Sequence, residues 1–322
     1  MTATSNRPQT APPRNNRMLP SGSVPGQLEM QFPNSQAITP GGSLMFTPTF
    51  EVIVAQAKDR QPPDMTFEAL LKRFPGLAEA DAVCWTGSTA VGWGNVFSDF
   101  DIYAFSDREL DLPMDETAEC WPGSDKSGVG WGNWLGEYQK ARVDLTTWPT
   151  GAFPTVLQPY LEDEVEFLRS SDTMQDFIYR MSIGVPLKND GYFQELRELL
   201  DKSSYRRARV RTVKVRAENA LTDVVGQLDA GDQDSALISA RIAAFRVVDA
   251  CLALQGDYCT REKWMMRRLA RMPECGISVD EFQAMVLDGP RQGEANGDCA
   301  LRMARWAQGH IVRLDGELFA GS

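Results

Sequence analysis

Asp99 and Asp101 stand one residue apart in the stretch TGSTAVGWGNVFSDFDIYAFSD, residues 86–107, which opens on a Gly87–Ser88 pair. Residues two apart on a strand point to the same face, so the two carboxylates project side by side. Like charges that close repel unless something neutralises them. A divalent cation does so, and Mg²⁺ favours one or two carboxylates together with water and phosphate oxygens. Asp144, centred in RVDLTTW, offers a third carboxylate from a neighbouring strand. Three carboxylates can hold two ions a few ångströms apart, an arrangement suited to in-line attack at phosphorus. Gly87 and Ser88 fit a phosphate anchor: glycine lets backbone N–H groups approach, and the hydroxyl donates to a phosphate oxygen.

The pattern of Gly-Ser, nine intervening residues, then SDFD from Ser98 and a later VDL resembles the nucleotidyltransferase superfamily that includes DNA polymerase beta. It is most similar to the small-molecule branch, the lincosamide and aminoglycoside nucleotidyltransferases. The resemblance implies Gly87, Ser88 and Ser98 at the nucleotide, and Asp99, Asp101 and Asp144 as metal ligands and catalytic residues of a two-ion Mg²⁺ site. LALQGDYCTREKWMMRRLARM, from residue 252, resembles the helical domain of the same branch. That likeness implies Lys263 near the phosphates and Tyr258 or Trp264 near the base or in the bundle core. The loop TAVGWGNVF departs from the family in being apolar and aromatic where a polar or basic loop is common.

The implied reaction moves a nucleoside monophosphate from an NTP, ATP foremost, to a hydroxyl of a small-molecule acceptor and releases pyrophosphate. Other acceptors of the same chemistry stay open: a protein side chain, or a second nucleotide in the making of a signalling molecule. A nucleotide-binding regulatory protein without catalysis also stays open.

Composition narrows the classes. The chain of 322 residues has a formal net charge of −11, which speaks against stable nucleic-acid binding because phosphate neutralisation supplies most of that affinity. One histidine, His310, and no G-x-S-x-G elbow leave little for serine or cysteine hydrolysis. The 6 cysteines show no C-x-x-C pair, as expected of reduced thiols in a cytoplasmic protein. No apolar run reaches the ~20 residues of a membrane span, and the N-terminus lacks the apolar core of a secretory signal.

The elements that must hold the aspartates read in order. Residues 1–45, rich in Pro, Ser, Asn and Gly, are expected to be a disordered tail. Residues 46–152 are expected to form a small mixed-sheet nucleotidyltransferase domain, with a helix over 66–74 capped by Thr66 and strands at AVCWTG, FDIYAF and ARVDLTTW. Residues 153–322 carry apolar residues at three-to-four spacing and are expected to be a C-terminal helical bundle, giving an α+β chain. VGWGN occurs twice, at 91–95 and 129–133, as two glycine-rich loop or hairpin segments. By spacing alone, Lys263, Arg267, Arg268 and Arg271 form a solvated basic helix face, as do the arginines and lysine between 206 and 216, whose alternative is to face the cleft and offset the carboxylates or bind an anionic acceptor. Asp249 reads as a surface partner of Arg246, three residues before it. Trp93, Trp131 and Trp134 read as packing residues, and His310 has no assigned role.

Overall fold

The computed structural model describes residues 63–320, apart from 96, 117, 127, 163–165 and the side chains of 319 and 320; the N-terminal segment expected to be disordered lies outside these. The first helix, α1 (Phe67–Arg73), starts where its sequence directs: the Thr66 Oγ accepts from the Ala69 N–H at 3.3 Å. Such a cap stabilises a helix end by about 1 kcal/mol. A turn at Pro75–Ala78 then leads into strand β1 (Ala82–Thr86), and the four-residue α2 (Gly87–Ala90) follows without a break.

Four more strands complete this half: β2 (Phe100–Phe105), β3 (Glu119–Ser124), β4 (Gly130–Tyr138) and β5 (Ala141–Trp148). The second VGWGN enters β4 within the β3–β4 hairpin, whereas the first forms the loop after α2. Beyond them come α3 (Ala152–Glu162), α4 (Asp172–Ile183), β6 (Val185–Lys188) and α5 (Asp190–Lys202). The sheet has six strands in the order β3-β4-β5-β2-β1-β6 and is mixed, with β2 and β5 parallel and the remaining pairs antiparallel.

Alternation along the strands sends side chains into two separate cores. Val83, Ile102, Val143 and Leu145 meet Leu70, Phe74 and Trp134 on the α1 side. Cys84, Tyr103, Phe105 and Trp148 meet α3, α4 and α5 on the other. The remaining helices are α6 (Tyr205–Asp229), α7 (Gln233–Leu254), α8 (Met265–Arg271), the short α9 (Val279–Phe282) and α10 (Asn296–Ala320). They enclose a third core, built around Val213, Val247, Leu252, Phe282 and Met303. The fold is therefore α+β, as expected, with sheet first and helices after.

Two details depart from the expected layout. The segment read as wholly helical contributes a strand: β6 pairs antiparallel with β1. Gly184 and Pro186 end the helix here, but whether the four residues Val-Pro-Leu-Lys then form a strand is set by the partner, β1. The second detail concerns charge. Arg209, Arg268 and Asp249 are not solvated; each is at most 4% exposed. Asp249 accepts from Arg209 and from Arg268, both at 2.8 Å, while Arg246 turns to Glu262 at 3.2 Å. Arg268 also reaches the buried Asp257 at 3.3 Å, and Arg209 donates to the Gln175 side chain at 2.7 Å. Helical spacing alone could not reveal this, since the acids that draw these arginines inward lie on other helices.

Candidate active site

At the start of the β2–β5 pair the register sets Asp101 directly opposite Asp144, with Asp99 two residues before Asp101. Asp101 shares its parity with Tyr103 and Phe105, and Asp144 with Trp148, so both carboxylates belong to the face covered by α4. Gly87 sits against them at φ +76°, and a Cβ there would lie 1.9 Å from Asp101 Oδ2. Glycine is required twice over, for the left-handed backbone and for the room. The Ser88 carbonyl accepts from the Trp93 and Gly94 N–H groups at 2.8 and 3.0 Å, which closes the first VGWGN loop over the strand end.

A cavity of about 660 Å³ opens in front of these residues, lined by Gly87, Ser88, Ser98, Asp99, Asp101 and, from beyond α7, Lys263. The structure thus gathers six residues singled out in the sequence into one wall. Asp144 stands behind them in the sheet and does not line the cavity. Ser98 has a local task as well: its Oγ accepts from the Asn95 N–H at 2.9 Å and fixes the loop leading to Asp99. Lys263 Nζ lies over the Trp264 ring at 5.0 Å, at the cavity's edge. Tyr258, by contrast, is buried, packing on Tyr205 and accepting from Arg206.

The loop and the helices meet directly across this opening. Arg267 of α8 donates to the Trp93 carbonyl at 2.5 Å, and Arg271 lies 4.6 Å over the Trp93 ring. Trp93 and Trp264 pack at 5.9 Å. The aromatic loop suits its partner, a basic helix, since guanidinium groups sit well on indole faces.

Sequence reasoning missed the most consequential side chain, Arg180 of α4. Its guanidinium joins Asp101 Oδ1 at 2.6 Å and Asp176 at 2.8 Å, and lies 5.8 Å over the Tyr103 ring. Thr86 donates to its backbone carbonyl at 2.7 Å, tying α4 to the end of β1. Asp176 and Arg180 are four apart on a helix, a spacing legible in QDFIYRM, but the strand partner was not. Arg142 holds Asp99 more loosely, at 3.3 Å and in an exposed position.

Burial pushes the Asp101 carboxyl above its ordinary value, with Asp144 and Asp99 adding to the rise and Arg180 opposing it. Asp144 is likewise raised, first by burial and then by Asp99, against Arg180 and Arg142. Three carboxylates crowd one end of two strands, and arginines supply their counter-charge. The donor set is all hard oxygen and suits Mg²⁺ in chemistry. Among the described residues, however, no group of three His, Cys, Asp or Glu is arranged to hold a metal ion. In this arrangement Arg180 engages Asp101.

A larger cavity, about 1010 Å³, lies at the opposite end of β2 and β5, among Trp121, Trp131, Trp148 and the residues after Phe105. Trp131 therefore lines an opening, while Trp134 is a fully buried packing residue. All six cysteines are free thiols. No described helix is long and apolar enough to cross a membrane.

No protein-family model and no curated protein matches this chain. Among solved structures it is similar to a nucleotidyltransferase-like protein from Exiguobacterium sibiricum 255-15, at 9% sequence identity, with 78% of this chain and 76% of that chain covered and a TM-score of 0.41.

Proposed function

We propose that the chain is a Mg²⁺-dependent nucleotidyltransferase that transfers a nucleoside monophosphate from an NTP, ATP foremost, to a hydroxyl of a small-molecule acceptor. The observation that carries this reading is the convergence of Gly87, Ser88, Ser98, Asp99, Asp101 and Lys263 on one cavity, with Asp144 paired to Asp101 in the sheet. Those residues come from three distant segments, and a triphosphate needs all three kinds of group: a tight turn, carboxylates for a cation, and a cation of the protein's own.

In this reading Asp99, Asp101 and Asp144 would hold Mg²⁺ once Arg180 releases Asp101, and the ion would supply charge neutralisation at the reacting phosphate. Ser88 and the Gly87 turn anchor the terminal phosphates, and Lys263 adds a positive charge at the far wall. The acceptor oxygen attacks the α-phosphorus, and its proton passes to one of these carboxylates. The bond from the α-phosphorus to its bridging oxygen breaks, and pyrophosphate leaves. Free thiols agree with a cytoplasmic setting. We take the catalytic unit as the sheet with α1, and the helices that follow as the opposite wall.

The pairing of Arg180 with Asp101 favours a second reading, a nucleotide-binding protein that does not turn over. One experiment separates the two. Pyrophosphate release is measured with each of the four NTPs and Mg²⁺ over hydroxylated small molecules, for the wild type and for Asp101→Asn. Release that needs both Mg²⁺ and Asp101 supports transfer, and the product's mass identifies the acceptor. NTP binding without release, weakened in Asp101→Asn, supports the non-catalytic reading. Neither binding nor release sinks both.

A further inference from the structure

A second cavity of about 490 Å³ adjoins the first and shares Asp176, Thr260, Arg261 and Glu262 with it. Four arginines enter its wall: Arg209 and Arg216 from α6, Arg246 from α7 and Arg261 from the segment before α8. Arg209 and Arg216 are two helical turns apart and look out from one face of α6. In a chain with a net charge of −11, such a gathering calls for a cause.

The wall's acids are already engaged. Asp249 is shared by Arg209 and Arg268, each at 2.8 Å. Asp176 is shared by Arg180 at 2.8 Å and Arg261 at 3.4 Å. Glu262 takes Arg246 at 3.2 Å. Arg180 and Arg268, behind the wall, each hold a second carboxylate as well, Asp101 and Asp257, and Asp172 at the exposed rim is the wall's remaining acid. Arg216 makes no ion pair with any described residue. The buried Nε of Arg209 has no acceptor among the described residues. An arginine without an ion pair and a buried guanidinium N–H without an acceptor, in a cavity adjoining the carboxylates next door, suit an anion with several oxygens.

We infer that this cavity receives an anionic group, a phosphate or carboxylate, of the acceptor molecule, whose hydroxyl then reaches into the carboxylate cavity past Asp176 and Arg261. The inference rests on the proposed transfer reaction for the word acceptor, and on the cavity alone for the anion. It predicts that a polycationic acceptor is disfavoured, because it would meet the Arg216 guanidinium, which has no ion pair among the described residues.

Orthophosphate is the probe for the test. Its binding to the full chain is followed by calorimetry without NTP, alongside a separate titration with ATP. The proteins compared are the wild type, Arg216→Glu, Arg216→Lys and Asp101→Asn. Arg216 is exposed, so its substitutions leave the fold in place, which a melting curve checks. The expected result is saturable phosphate binding that weakens at least about tenfold in Arg216→Glu, survives in Arg216→Lys and survives in Asp101→Asn. ATP binding should change less than about twofold in Arg216→Glu. No saturable phosphate binding below about 10 mM, or equal binding in Arg216→Glu, overturns the inference. A tenfold loss of ATP affinity in Arg216→Glu also overturns it, because the anion is then the triphosphate. These readouts need no turnover, so a failure of the transfer reading is seen separately, in the absence of pyrophosphate release.

Discussion

Two arginine–aspartate assemblies lie within a few helical turns of each other and differ in what encloses them. In the bundle, Asp249 and Asp257 share Arg209, Arg268 and Arg271, and both acids are buried. At the sheet, Arg180 spans Asp101 and Asp176 on the wall of a cavity. The bundle assembly is almost wholly buried, only Arg209 and Asp249 touching the smaller cavity and Arg271 reaching the surface, so most of its charge serves its own members. The sheet assembly faces an opening, where a new cation or anion can compete for either partner. Burial raises the Asp101 carboxyl despite its arginine, the mark of a charge held in place at a cost in stability. Such perturbed groups in clefts point to function more often than enclosed ones do.

Removing one member of each assembly sharpens the contrast. Asp249→Ala leaves two buried guanidinium groups short of a partner, and unfolding by urea should show a loss of about 3–5 kcal/mol. A loss below about 1 kcal/mol would mean that water reaches Arg268 and that the enclosure is not what separates the two sites. Asp101→Asn should do the reverse. Its unfolding free energy should stay within about 1 kcal/mol of the wild type, while pyrophosphate release falls about a thousandfold, or ~4 kcal/mol on the barrier.

Arg180→Met tests the competition directly. With the guanidinium gone from Asp101, half-saturation by Mg²⁺ should come at about tenfold lower concentration, roughly 1.4 kcal/mol. A higher Mg²⁺ requirement would show that Arg180 supports the bound substrate and does not rival the metal. The smallest effect belongs to a third pair, at the surface. Arg302 grips both oxygens of Glu294 at 2.9 Å, and the Arg291 N–H adds a bond at 2.7 Å. Together they lower the Glu294 carboxyl from 4.5 to about 2. A depressed carboxyl stabilises the fold above its unfolded value, so this contribution should fade as pH falls from about 4.5 towards about 2. In melts at neutral pH, Glu294→Gln should lower the midpoint slightly, and the gap to the wild type should close in acid.

The contrast also explains what could be read from the sequence. Local rules gave Thr66 as a cap, the strands around Asp101 and Asp144, and a phosphate anchor at Gly87 and Ser88, because each depends on residues close in the chain. The candidate cavity was legible in its carboxylates and its Gly-Ser turn for the same reason. Arg180 was not, for its meaning comes from Asp101, a strand and a helix away. Arg268 and Asp249 were misread as surface charge because a helix's periodicity says which face a residue is on, and nothing about what packs there. Strand β6 escaped through its length: four residues hold too little pattern to be told from a loop.

That short strand decides how the molecule can be divided. Its bonds to β1 join positions about a hundred residues apart, so the edge of the sheet beside the Gly-Ser turn closes late in synthesis, after α4 has emerged. A chain cut at residue 152 would leave β1 with a bare, apolar edge and no helix over the carboxylates. Such an edge recruits other chains. The sheet half is thus no independent module, and attempts to isolate it should yield aggregates where the longer chain stays dispersed.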